Sequence, residues 1–397
     1  MHMLKLKIVH IIGNLGLGGA ERFVIDLCNE IARNERYELS IISLCENQDK
    51  NSFVKDIAPN VNYLSFNKKK GFSLAVLLKL TNWLKMYRPH AVHSHLNSSE
   101  YLTLYRLFNN QTVFYHTIHN VAEVECTGYF LKHFRKLHYW MNRVIPVTIS
   151  KNASRTYKEY YNLSNDVLIE NGRPPLKITE SYQDIFHQYK STDKEFLLVH
   201  VGRISAEKNQ LMLIRAVQAF NAKEDKKCRL LIIGEVHDEK LFRHLKIQAD
   251  GDDLVEFLGG RSNVADYLSI ADGFCLPSVF EGMPITIIES LSLGCIPICT
   301  PIGALTLMIE DGVTGFLSED LSVRSYCDAI KRAVYSRDRK MIKQNAITEF
   351  QNKYHIEISA KRHLKTYISM LSHAERKEDA SVLLLYPSKF KRNDKVY

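Results

Sequence analysis

Residues 273–299 constrain this chain more than any other stretch. Gly273-Phe274-Cys275-Leu276 is a short continuous apolar run, the pattern of a strand buried on both faces. A tight loop holding Glu281 and Gly282 follows. Pro284 is placed to be the first helical residue, where its missing N–H costs nothing. Gly294 is placed to end that helix in the left-handed conformation, and Ile296-Pro297-Ile298-Cys299 starts another strand. Strand, acidic loop, short helix, strand is the alternation of an α/β fold.

The geometry of that unit suggests its chemistry. A helix start offers unpaired N–H groups and partial positive charge, which suit a phosphate or diphosphate. Glu281 sits beside that pole, and Glu289 lies about 12 Å further along, at roughly 1.5 Å per residue. A retaining glycosidase holds its two carboxyls about 5 Å apart, so this is not such a pair. Carboxylates this far apart suit two hydroxyl-rich ends of one extended ligand. The spacing leaves a second reading equally open, a helix-terminal acid and a solvated acid.

Glu281, seven residues, then Glu289, within Pro277-Ser278-x-x-Glu281-Gly282-x-Pro284 and closed by Gly294, resembles the E-x7-E signature of the retaining glycosyltransferases of family GT4. The resemblance implies a GT-B fold, two Rossmann-like doubly wound domains facing a central cleft. It also implies transfer of a sugar from a nucleotide-diphosphate sugar. In that family the second Glu, here Glu289, holds the donor ribose. Glu281 with Gly282, Met283, Pro284 and Ile285 faces the donor sugar and diphosphate.

The length of 397 residues favours two domains over one core. The excess of 53 Lys and Arg over 44 Asp and Glu, +9, fits an anionic ligand or an anionic membrane face. It is too diffuse to argue for nucleic acid, and no zinc finger or aromatic RNA-binding pattern accompanies it. Eight Cys without a C-x-x-C, several in apolar runs, read as small buried hydrophobes in a reducing compartment. Gly13 and Gly16 cut short the first apolar run, so no secretory signal is expected there. No apolar run approaches the roughly 20 residues of a membrane span. The expected location is the cytosol, with the inner face of a membrane as a further possibility.

In the first half, a strand over residues 4–12, a Gly-rich turn and a helix from about Ala20 to Arg33 form a phosphate cradle. The turn fails the dinucleotide fingerprint, which counted from Gly16 needs Gly where Glu21 stands, although Glu46 keeps a ribose acid available. Gly18-Gly19-Ala20-Glu21-Arg22 resembles the family's N-domain loop, where Gly18 and Gly19 let the backbone approach donor phosphate or acceptor. Lys68-Lys69-Lys70-Gly71 precedes a helix from Phe72 to Tyr87 bearing Lys79, Lys85 and Trp83. It reads as a core-packed helix with a solvated basic end, or as a patch for anionic lipid. His93, His95, His116 and His119 lie at two strand ends, where ligands bind in open α/β sheets. Local carboxylates do not complete a metal set, and none is expected. The resemblance implies that His119 contacts the donor sugar. Residues 126–143 mix aromatics and bases in a region that borders the acceptor in the family.

Asn171-Gly172-Arg173-Pro174-Pro175 reads as the interdomain linker. The alternation restarts at Glu195–Val201 and leads into Gly202-Arg203-x-x-x-x-Lys208-Asn209. Two cations at a strand end suit a diphosphate leaving group, and the pattern resembles GT4. Gly234, after the next strand, lies near the nucleotide in the family. Ala304 stands where many relatives have Gly, which leaves the exact sugar contact open.

The expected domains are 1–175 for the acceptor and 176–355 for the nucleotide-sugar donor. Residues about 356–397 would pack back on the first domain, ending in a basic tail. The expected activity is retaining transfer of a hexosyl unit from a UDP- or GDP-linked sugar to a saccharide or lipid-linked acceptor in cell-surface polysaccharide or glycolipid synthesis. His119, Arg203, Lys208 and Glu281 would be catalytic, with neither a metal nor a cofactor beyond the donor. The alternatives are a GT-B epimerase or hydrolase and a silent nucleotide-sugar-binding protein.

Overall fold

The structure, a computed structural model, describes residues 5–46, 52–69, 71–190 and 194–375. Apolar runs become strands wherever turn residues bound them. In the first half these are β1 (Leu6–Ile12), β2 (Tyr37–Cys45), β3 (Val61–Lys68), β4 (Ala91–His95), β5 (Val113–Ile118), β6 (Ile145–Thr148) and β7 (Val167–Leu168). They form one sheet in the order β3-β2-β1-β4-β5-β6-β7, every pairing parallel. The second half gives β8 (Phe196–Val201), β9 (Cys228–Ile233), β10 (Val255–Gly259), β11 (Gly273–Leu276), β12 (Ile296–Cys299) and β13 (Phe316–Leu317). Their order is β10-β9-β8-β11-β12-β13, again all parallel. With helices between the strands, these two sheets give the GT-B architecture.

Parallel strands need crossover helices, and both faces of each sheet are therefore covered. That is why β4, β11 and β12 are buried along their whole length. Each strand order reverses once, between β1 and β4 and between β8 and β11. At such reversals neighbouring loops diverge and leave a crevice at the strands' carboxyl ends. The loops after β1, β4, β8 and β11 are those the sequence marked.

The final helix, Ile356–Glu375, lies against the N-terminal sheet: the Tyr115 hydroxyl of β5 donates to the Thr366 carbonyl at 3.2 Å. The expected basic tail beyond it lies outside the described residues. Gly294 has φ +65°, as a helix-ending left-handed residue. Pro284 is corrected. The helix is Ile285–Ser292, and Pro284 precedes it with ψ 123°, an extended residue whose carbonyl accepts from the Ile287 N–H at 3.2 Å. All eight Cys are free, six of them buried. Among the described residues no helix is long and apolar enough to cross a membrane.

Candidate functional site

The loop after β11 carries Glu281 beside the start of the Ile285–Ser292 helix. Its carboxylate Oε1 accepts from Lys208 Nζ and from the Ser278 hydroxyl, each at 2.6 Å. Lys208 closes a short 3-10 turn, Ala206–Lys208, after β8, and the Val279 N–H donates to the Glu207 carbonyl at 2.9 Å. The loops of both central strands are thereby tied together. Arg203 stands in the first of them with its side chain half exposed, 4.0 Å from Glu207. Gly234 turns after β9 beside Gly202. The Ile302-Gly303-Ala304 turn backs the Glu281 loop, with Ala304 buried.

This loop meets the N-terminal half directly. A Cβ on Gly282 would stand 2.7 Å from the His119 carbonyl oxygen and 2.9 Å from Asn120 Cα, so only glycine permits the contact. The Ser150 hydroxyl donates to the Gly282 carbonyl at 3.0 Å, and the Asn171 N–H to Met283 Sδ at 3.3 Å. Gly19 opens the Gly19–Ala32 helix next to the Ile285 side chain, with Gly18 as its cap. Glu21 follows in the first turn. Burial raises its pKa, while its backbone hydrogen bond and the Arg203 charge oppose the rise.

His119 directly follows β5, half-buried, its N–H donating to Glu125 Oε2 at 2.6 Å. Burial lowers the His119 pKa to about 4, against the pull of Glu125. Of the four sequence histidines, His93, His95 and His119 gather together. His116 turns away to Ser94, 2.9 Å, with Glu125 at 3.6 Å. His10 of β1 joins the group: ligand atoms of His10, His93 and His95 lie within 4.8 Å of one another. His10 Nδ1 and His95 Nε2 are 2.9 Å apart. Nitrogens on one tetrahedral zinc, at roughly 2.0–2.1 Å per bond, stand about 3.3 Å or more apart. In this arrangement the pair is at hydrogen-bond distance and placed to share a proton.

Glu289 has a partner that sequence reasoning missed. Arg173 donates to Glu289 Oε1 from Nε at 3.1 Å and from Nη2 at 2.8 Å, and also pairs with Asp26. Arg22 holds Asp26 from the other side and reaches Asp56 at 2.6 Å. The group links the Gly19–Ala32 helix, the segment 171–175 and the Ile285–Ser292 helix. Burial raises the Glu289 pKa, and Arg173 pulls it back. Arg173 stood in a stretch legible only as punctuation, and its partners are far away in sequence.

Two family models match the chain, "Glycosyltransferase Family 4" over residues 17–172 and "Glycosyl transferases group 1" over residues 181–349. The chain is 24% identical to an Escherichia coli UDP-Gal:alpha-D-GlcNAc-diphosphoundecaprenol alpha-1,3-galactosyltransferase, covering 92% of this chain and 98% of the relative. It is 25% identical to a Campylobacter jejuni N-acetylgalactosamine-N,N'-diacetylbacillosaminyl-diphospho-undecaprenol 4-alpha-N-acetylgalactosaminyltransferase, over 87% and 99%. The fold matches Anabaena Alr3699/HepE, solved with UDP and glucose, at TM-score 0.77 and 16% identity, over 92% and 100%. It also matches the sucrose-phosphate synthase of Thermosynechococcus elongatus at TM-score 0.77 and 16% identity, over 92% and 100%. With one model on each half and E-x7-E at the switch point of the second sheet, the chain belongs to glycosyltransferase family 4, group 1, and is a glycosyltransferase.

Proposed function

We propose that the chain moves a hexosyl unit, with retention, from a UDP- or GDP-linked sugar to a lipid-linked saccharide acceptor in cell-surface polysaccharide assembly. The observation that carries this is Lys208 on Glu281, in a loop whose next residue, Gly282, lies against the His119 backbone, with Arg203 half exposed in the neighbouring loop. In this reading Arg203, Lys208 and the N–H groups opening the Ile285–Ser292 helix stabilise the diphosphate as it leaves. Glu281 and His119 position the sugar, and Glu289 holds the ribose. The acceptor hydroxyl attacks from the face the diphosphate leaves, and that group takes the proton. The cationic side chains supply the charge neutralisation, so the step runs without a metal. Diphospho-undecaprenol in the names of both relatives supports a lipid-linked acceptor.

A lipid-linked acceptor calls for a membrane-facing surface. The Tyr129–Trp140 helix exposes Tyr129, Phe130, Leu137 and Trp140. The Leu74–Tyr87 helix buries Val76, Leu80 and Leu84 yet exposes Leu74, Leu78 and Met86 beside Lys79 and Lys85. Both border the segment 96–110, through Arg135 to Glu100 at 2.7 Å and Lys85 over the Phe108 ring. Apolar side chains rimmed by bases suit the inner, anionic leaflet.

The test is thermal shift with UDP, GDP, ADP and CMP, followed by transfer from the matching sugars to a diphospho-lipid saccharide. A nucleotide that binds the native state raises the melting temperature by mass action. One nucleoside diphosphate is expected to shift it, and its sugar conjugate to be consumed only with acceptor present. Consumption at the same rate without acceptor would overturn transfer in favour of hydrolysis.

A further inference from the structure

Six side chains form one hydrogen-bonded line beneath the crevice. Thr117 Oγ1 meets His93 Nε2 at 2.6 Å, and His93 Nδ1 meets the Tyr367 hydroxyl at 2.6 Å. That hydroxyl reaches His10 Nε2 at 3.5 Å, and His10 Nδ1 meets His95 Nε2 at 2.9 Å. His95 Nδ1 then meets His119 Nε2 at 2.9 Å. Every member except His119 is buried. Nδ1 of His119 has no hydrogen bond among the described residues and is not a fully buried atom, so it keeps access to solvent at the end of the line, where the His119 backbone lies against Gly282.

The chemistry of a neutral imidazole, one donor and one acceptor nitrogen, makes this line all-or-none. If His119 donates through Nε2, each proton points inward and the line ends on Thr117 as acceptor. The Thr117 hydroxyl hydrogen is then buried with no acceptor among the described residues. If Thr117 donates instead, each proton points outward. Thr117 gives to His93, His93 to Tyr367, Tyr367 to His10, His10 to His95 and His95 to His119. Every buried hydrogen in the line is then accepted, and the one left over is Nδ1–H of His119 in the crevice. An unmade buried donor is costly, which selects the outward direction. The members are neutral because burial lowers the His10 and His119 pKa values, to about 3 and about 4, and those of His93 and His95 well below the ordinary value.

We infer that this line locks His119 as the Nδ1–H tautomer, so that the crevice is given a fixed neutral donor and Thr117, His93, Tyr367, His10 and His95 act as positioning residues. The last helix thus contributes to the site through Tyr367. The ligand atom met by His119 is then an oxygen with a free lone pair, as on a sugar hydroxyl, and a charged amine at that position is refused. Only this last step rests on the glycosyltransferase reading.

The test needs no substrate. Full-length protein labelled with 15N-histidine is examined at pH 7.5 by long-range 1H–15N correlation, with His119→Gln identifying the His119 signals. A protonated, pyrrole-type Nδ1 and an unprotonated, pyridine-type Nε2 are expected. The opposite pattern overturns the inference on the wild-type protein alone. In Thr117→Val, which removes the first donor with little change of shape, His119 should move toward averaged shifts from two tautomers. Tyr367→Phe, which cuts the line at its longest joint, should do the same. A single unchanged Nδ1–H tautomer in both variants would mean the line does not set it and would also overturn the inference. Activity is assayed separately, so a locked tautomer without sugar transfer would refute the function and leave the lock standing.

Discussion

At Lys208 two roles converge on one atom. Its Nζ is already committed to Glu281 at 2.6 Å, a pair mostly withdrawn from solvent. In the proposed reading a diphosphate arriving there would share that ammonium with the carboxylate, so the charge would be held in place before the ligand binds. Lys208→Ala should reduce transfer by about 100-fold or more, the cost of one such stabilising group. It leaves Glu281 with the Ser278 hydroxyl, so folding should persist; kcat and the melting curve measured together check both. Arg173 is different in kind. Removing it strands Glu289 as a buried carboxylate and leaves Asp26 with Arg22 alone, a loss on the order of 3–5 kcal/mol for a broken buried pair. Arg173→Ala is therefore expected to lower the midpoint of urea unfolding markedly, whereas Arg203→Ala, at a half-exposed cation, should leave it nearly unchanged while abolishing transfer. An Arg203→Ala enzyme with full activity would remove Arg203 from the site.

The element that joins the halves is the loop from Pro277 to Pro284 with the helix behind it. Its legibility in the sequence came from local chemistry: apolar strand, acidic turn, proline, helix, left-handed glycine. Each signal acts within a few residues, and the fold class and the loop that carries the candidate site could be read from them. Pro284 shows the limit, because a proline suits the first helical turn and the residue before it alike, and the ψ of 123° makes it the latter here. The ion group of Asp26, Arg173 and Glu289 and the line from Thr117 to His119 stayed hidden for another reason. Their members stand on strands and helices that only the sheet order brings together, and no spacing announces them. Gly282 was legible as a residue type but not for its cause, the backbone of His119 and Asn120 at its α-carbon. Gly282→Ala should push those backbones apart, since neither atom belongs to a side chain that can swing away. A fall in both melting temperature and donor affinity is expected, measurable by calorimetry with the nucleoside diphosphate that binds. An alanine variant with wild-type affinity would mean the two halves need not meet there.

For the whole molecule, the buried histidines make acid the condition to which the fold is most exposed. Burial holds His10 and His116 at about 3 and His200 and His363 at about 4, while an unfolded chain would titrate each near 6.5. Above pH 6.5 both states are neutral at these positions and the shifts contribute nothing. As pH falls from 6.5 toward 4 the unfolded chain takes up protons that the folded one refuses, so stability drops by about 1.4 kcal/mol per pH unit for each such histidine. Glu21, Glu125 and Glu289, raised by burial, act in the opposite sense, since the folded state keeps their protons to higher pH than the unfolded chain does. The histidines lie in both halves, His200 on β8 and the others around the first sheet, so neither half escapes. The melting temperature should be flat from pH 8 to 7 and fall steeply between pH 6.5 and 5. Replacing His363, whose ring packs tilted against those of Phe23 and His93, by Leu should shallow the fall because one proton-uptake step is removed. A melting temperature level down to pH 5 would mean that these side chains reach protons in the folded state, and the sealed line beneath His119 would fall with it.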